Sequence, residues 1–146
     1  MNLDDYKDQF DALKVLSPHG YEVYRWMIDL GRKLQNDPLS EEKRIDSNRV
    51  HRCQFSMFVD KEEDKFKAWS DAIIASGYAY MLVDVFNSAG GNAKYITPES
   101  NVFNSAGGNA KYITPESFDL LDIANLLSLN RQNGFYQMVE MIRSRL

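Results

Sequence analysis

Sixteen residues of this chain occur twice without a single change. Val85-Phe86-Asn87-Ser88-Ala89-Gly90-Gly91-Asn92-Ala93-Lys94-Tyr95-Ile96-Thr97-Pro98-Glu99-Ser100 returns as Val102 to Ser117, offset by 17 positions, with Asp84 matched by Asn101. Solenoid repeats drift in sequence and come in threes or more, so this pair reads as a duplication or an insertion and not as an array. The block carries the end of a helix, a Gly-Gly stop, an Asn cap and the start of the next helix. Both copies therefore suit the same socket. The expectation is one domain over residues 1–146 in which one copy is extruded as an insertion. Loop closure grows only logarithmically, so the surplus costs about 1–3 kcal/mol, and its exposed Val, Phe, Tyr and Ile add an aggregation hazard.

Outside the repeat, the period of the apolar residues changes along the chain. Ser17-Pro18 reads as a helix cap followed by a first-turn proline, and Tyr24, Met27, Ile28, Gly31 and Leu34 recur at helical spacing as far as Asn36-Asp37-Pro38. The polar stretch Ser40 to Ser47 suits a short helix or a loop. Gln54 to Asp60 then alternates, with Phe55, Met57 and Val59 on one face and Gln54, Ser56 and Phe58 on the other. A charged turn, Lys61 to Asp64, joins it to a second alternating run, Lys65 to Trp69. Asn48 to His51 can add a third short strand, which would place Cys53 at a tip between strands.

Ser70-Asp71 can cap a long apolar helix to about Asn87, with Ile73, Ile74, Gly77, Tyr78, Met81 and Val85 turned inward. A terminal amphipathic helix, capped by Ser128, lines up Phe135, Met138, Val139, Ile142 and Leu146. This order predicts an α+β fold, with a small antiparallel three-stranded sheet packed against several helices.

Composition narrows the function classes. Hydrophobic residues at 44% and charged residues at 26% fit a folded chain, and a net charge of −4 gives nucleic-acid binding little electrostatic support beyond local basic stretches at 43–52 and 131–145. The acidic N-terminus lacks an apolar signal core, and the longest apolar run, Ala72 to Val83, is too short to span a bilayer. With a single cysteine no internal disulfide can form, which suits a reducing cytoplasm.

That cysteine, Cys53, lies in the run Asn48-Arg49-Val50-His51-Arg52-Cys53-Gln54. A core cysteine is a small hydrophobe, and this stretch is too polar and basic for one. Arg49, His51 and Arg52 would favour the thiolate, the form in which a thiol reacts. His51 stands two residues away and is a conceivable base for a Cys–His nucleophilic pair, as is His19; the plain alternative is a solvated strand residue. A metal site is not expected, because His51, Cys53 and His19 fall short of the usual four ligands. Asp71 and Arg131, taken alone, are helix-end charges.

Four blocks together resemble the SufE/CsdE family, the sulfur-acceptor proteins that partner cysteine desulfurases in iron–sulfur cluster assembly. Tyr24 to Leu34 is similar to the family's first helix, "YxxLIxLGKxLP"; Asn48 to Gln54 resembles "NxVxGCQS". Ser70 to Gly77 resembles "SDAxIVxG", and Leu127-Ser128-Leu129-Asn130-Arg131-Gln132-Asn133-Gly134 resembles "LSPSRxNG". Removing one repeat copy shortens the chain to 129 residues and improves the agreement. Arg52 replaces a glycine of the pattern and Phe55 a serine.

The resemblance implies a SufE/IscU-like fold and a sulfur carrier that stimulates its desulfurase. Cys53 would receive the sulfur from a pyridoxal-phosphate cysteine desulfurase, and an iron–sulfur scaffold protein is a conceivable recipient. Arg49, Arg52 and Arg131 would stabilise the thiolate, with His51 and Gln54 beside it, and Asp71 would hold the loop or tune its release. Phe55 and Phe58 would shelter the thiol. The protein would need no bound cofactor of its own, and it would act as an accessory to the desulfurase more than as a stand-alone enzyme. The alternatives are a module that binds a desulfurase without carrying sulfur, and a thiol-dependent hydrolase or transferase.

Overall fold

The computed structural model describes residues 1–17, 19–89, 110–121 and 129–146. Its first helix, α1 (Leu3–Leu16), starts from a reciprocal cap. Asp5 N–H donates to Asn2 Oδ1 at 2.9 Å and Asn2 N–H donates to Asp5 Oδ2 at 3.0 Å. Leu3, Tyr6 and Phe10 are its buried residues, and the Trp26 ring packs on Tyr6 and Phe10 at 5.5 and 5.0 Å between centroids. Ser17 therefore closes one helix and does not open the next: its N–H donates to Leu13 O at 2.9 Å. The proline expected beside it, Pro18, lies outside the described residues. The second helix, α2 (Tyr21–Asn36), starts instead from Gly20, whose φ of 82° is left-handed.

α2 buries Val23, Met27, Leu30, Gly31 and Leu34, which leaves Tyr24 outside the stripe and 52% exposed. Its partner is α3 (Ile73–Ala89), apolar on nearly every side and correspondingly buried on most of them. The two helices cross where each lacks a side chain. A Cβ on Gly31 would strike the Ile73 carbonyl oxygen, and a Cβ on Gly77 would strike that of Met27. Each glycine thus sits under the backbone of the residue four positions before the other helix's glycine, and the contact is mutual.

The hairpin pairs β1 (Met57–Glu62) with β2 (Lys65–Ser70), antiparallel, in register from Met57↔Ser70 to Glu62↔Lys65. Glu63 and Asp64 make its two-residue turn with φ of 55° and 67°, the double left-handed geometry that matches strand twist. Met57, Val59, Phe66 and Ala68 face the core, as the alternation predicts. Among the described residues the sheet has two strands, not three. Asn48 to His51, expected as the third, is a 3-10 turn (Asp46–Asn48) followed by one bridge, Arg49↔Phe58. The cause is Asn48, whose buried amide donates to Lys43 O at 2.8 Å and Asp60 Oδ2 at 3.2 Å and curls the chain before it can run alongside β1. The polar stretch before it forms another 3-10 turn, Glu41–Lys43.

Described residues of both copies enter the core. Val85, Phe86 and Ala89 of the first copy complete the buried end of α3, whereas Ala110, Ile113 and Ser117 of the second are buried in the 3-10 turns Ala110–Tyr112 and Pro115–Leu121. These are positions one to five and nine to sixteen of the block. The described parts never overlap, so together they make up most of one copy.

The last helix, α4 (Leu129–Ser144), buries Phe135, Met138, Val139 and Ile142, while Leu146 falls past its end and is exposed. Its expected cap, Ser128, lies outside the described residues. Arg143 holds the second copy's tail through the carbonyls of Lys111 and Ile113. The α+β class is as expected. Among the described residues no helix is long and apolar enough to cross a membrane.

Candidate functional site

Cys53 lies in a six-residue excursion, 51–56, between the Asn48 turn and β1. Backbone bonds close its base: Val50 N–H donates to Met57 O at 2.8 Å, and Asp71 N–H donates to Ser56 O at 3.2 Å. Within it, Cys53 N–H reaches back to Val50 O at 3.1 Å, so the thiol rides on a tight turn and not on a strand.

The turn is pressed onto α4. Gly134 is the reason it fits: a Cβ there would lie 3.0 Å from Cys53 Cβ and 3.1 Å from its Cα. The half-buried Cys53 borders a cavity of about 20 Å³, walled mainly by Met57, Tyr78, Leu82, Phe135 and Met138, with Arg131 also in its lining. That is room for about one water-sized sphere in an apolar setting.

Burial decides the electrostatics. It pushes the Cys53 thiol above the ordinary range. The Phe55 N–H donated to the sulfur, Arg131 and Arg49 work against the rise, while the Asp71 carboxylate adds to it. The expectation that basic neighbours dominate is therefore reversed: desolvation of the thiolate outweighs charges that are themselves partly solvated. The same dry wall raises the buried Tyr78 hydroxyl to about 12 even though Arg131 hydrogen-bonds to it and pulls the other way.

The expected residues divide into two groups. Arg131 and Phe55 meet at the site, the guanidinium 5.9 Å from the ring centroid. Asp71 borders it, its backbone holding Ser56 and its carboxylate exposed. Phe58 is half-buried against Trp69 instead, 6.1 Å between centroids. Arg49, Gln54 and Arg52 are exposed, and Arg52 engages through its backbone, N–H to Gln137 Oε1 at 2.6 Å. His51 is exposed and faces Asp46 at 3.7 Å, and His19 lines a separate cavity with Tyr21 and Tyr24. Among the described residues no group of three or more His, Cys, Asp or Glu side chains is placed to hold a metal ion.

Sequence reading assigned no role to Gly134, Gln137 and Arg145. The last donates to Val59 O at 2.6 Å and Ser47 O at 2.7 Å, which pins the chain on either side of the cysteine turn. The available signal was spacing: Gly134 falls three residues after Arg131, and Gln137 and Met138 fall three and four after Gly134, which puts them on neighbouring positions of one helix side.

The chain is thus an α+β protein that carries one half-buried thiol on a tethered turn. The SufE family, described as an Fe-S metabolism associated domain, matches residues 8–111, and the chain belongs to that family. The match takes in Cys53 and Asp71 and stops short of α4. No curated protein matches the chain.

Proposed function

We propose that Cys53 is a sulfur acceptor, loaded from the persulfide of a pyridoxal-phosphate cysteine desulfurase whose turnover it stimulates by removing the sulfur. The observation that carries this reading is the seat of the chain's sole thiol: a turn tethered at its base, backed by Gly134, beside an apolar cavity with room for about one more atom. In the transfer, Cys53 thiolate attacks the outer sulfur of the donor persulfide. The donor's S–S bond breaks, its cysteine leaves as thiolate, and a new S–S bond makes Cys53 persulfide. The exchange has no net oxidation or reduction, so the protein needs no redox cofactor. Burial keeps the resting thiol protonated and shielded, and the attack requires the turn to swing out toward the donor. An iron–sulfur scaffold is the recipient this reading favours.

The loading test uses the full chain with a desulfurase and free cysteine, followed by intact mass with and without reductant. Wild type should gain one reducible sulfur atom, and Cys53→Ser none. Failure of wild type to gain sulfur while an established acceptor is loaded in parallel rejects the carrier and leaves a binding module. His51 offers a hydrolase little, since it turns to Asp46.

A further inference from the structure

The cysteine turn is held in two different ways. Its base is backbone paired to backbone, at Val50–Met57 and Ser56–Asp71. Its tip is bonded across the molecule by a side chain, because the N–H of Arg52, the residue directly before Cys53, donates to Gln137 Oε1 at 2.6 Å over a separation of 85 residues. We propose that Gln137 is a positioning residue, a latch whose acceptor oxygen seats the Cys53 turn on α4 and sets how often the thiol leaves its cavity. This deepens, and rests on, the reading of Cys53 as the reacting atom.

Three observations support the latch. Gly134 lies one turn earlier on the same helix face and lets α4 approach closely enough for Gln137 to reach the Arg52 peptide. Gln137 contributes little to the core, which α4 enters with Phe135, Met138, Val139 and Ile142. An uncharged acceptor also suits its place. A carboxylate could accept the same N–H, but it would add negative charge near a thiol whose ionisation burial and Asp71 already oppose. Releasing this solvent-exposed bond loosens the tip while both base pairings persist, so opening costs far less than unfolding.

The test uses the intact chain and iodoacetamide, an uncharged thiol reagent; Cys53 is its only thiol target. If labelling proceeds through the open turn, losing the latch raises its rate by roughly 2- to 10-fold, the range set by one net hydrogen bond. Gln137→Met should show that acceleration. Its labelling profile should also shift to lower pH, with Asp71, Arg49, Arg131 and Tyr78 still facing the thiol unchanged. Gln137→Glu keeps an acceptor and should not accelerate. Hydrogen exchange at the Arg52 amide should quicken in Gln137→Met alone, with the melting midpoints of all three proteins close together. Wild-type labelling in Gln137→Met, or equal acceleration in the Glu variant, overturns the latch. If Gln137→Met lowers the melting midpoint substantially, Gln137→Ser is read in the same way, and acceleration that merely follows stability also overturns it. No desulfurase takes part, so this outcome is independent of whether sulfur loading succeeds.

Discussion

Gly31 and Gly77 close the crossing of α2 and α3, and Gly134 closes α4 onto the cysteine turn, but the surfaces these glycines face differ. At the crossing each glycine lies under a backbone carbonyl of the opposing helix, and the two contacts are reciprocal. Neither carbonyl can rotate away without breaking its own helix. Gly134 faces the Cβ and Cα of Cys53, in a turn fixed at its base by backbone bonds and at its tip by the Gln137 side chain. The same device, an absent Cβ, makes an immovable joint in one place and a releasable seat in the other. The partner's freedom to move decides which.

The largest expected effect lies at the immovable joint. Gly31→Ala and Gly77→Ala each gain about 1 kcal/mol of intrinsic helix preference, yet each forces a clash with backbone. Overpacking of this kind costs about 1–3 kcal/mol or more, and at this chain length 1 kcal/mol moves the melting midpoint by about 3–4 °C. Because the clashing atoms are carbonyls, cost outweighs gain, and scanning calorimetry should show a drop of roughly 5 °C or more. An unchanged midpoint would mean that the crossing gives way as easily as the seat.

Next in size is excision of residues 90–106. Because the copies are identical, removing any 17-residue window within them yields one and the same 129-residue chain, which still contains every described residue of the block. Shortening the connection between Ala89 and Ala110 should stabilise by about 1–3 kcal/mol through loop closure. Among the described residues none that lines the Cys53 cavity belongs to the repeat, so thiol labelling should hold its wild-type rate. A lower midpoint would show that the doubled block is integral to the fold and not an insertion.

Gly134→Ala sharpens the contrast directly. Its new Cβ would press on Cys53 at 3.0 Å, but the turn can yield by a few tenths of an ångström and the helix gains from alanine. The midpoint should stay within about 2 °C of wild type while iodoacetamide labelling quickens several-fold. If Gly134→Ala melts as early as Gly31→Ala, the seat is as rigid as the crossing and the distinction fails.

This asymmetry also explains what was legible in the sequence. Periodicity exposes long apolar faces, so α3, the hairpin and the buried face of α4 could be read from it, and the Cys53 neighbourhood was marked by its residue types. α1 escaped notice because its Asn2–Asp5 cap is a short-chain version of the usual pattern and only Leu3, Tyr6 and Phe10 are buried. The third strand was misread because the inward bonds of Asn48, which curl the chain, depend on Lys43 and Asp60 being nearby in space. For the same reason the basic run around Cys53 suggested a lowered thiol pKa. The cavity that dries the sulfur is made, Met57 apart, by α3 and α4, from residues far along the chain.

That burial gives the last and smallest test its sign. The Cys53 thiol is raised first by desolvation and then by Asp71, with Arg131 and Arg49 opposing. Thiolate is the reactive form, so labelling must climb with pH and reach half its maximum above the ordinary thiol range of about 8.5. Asp71→Asn removes a charge that disfavours thiolate, so its profile should move to lower pH, and below the half-maximum it should label faster at any fixed pH. The carboxylate is exposed and screened, which limits the gain to about twofold. Arg131→Gln should move the profile the opposite way. The Asp71 N–H bond to Ser56 is a backbone contact and survives Asp71→Asn, so that variant should not alter the melting midpoint appreciably, whereas Arg131→Gln also loses its bond to the buried Tyr78 hydroxyl and should lower it. A large acceleration in Asp71→Asn would mean that the carboxylate, and not the seat on α4, governs access to the sulfur.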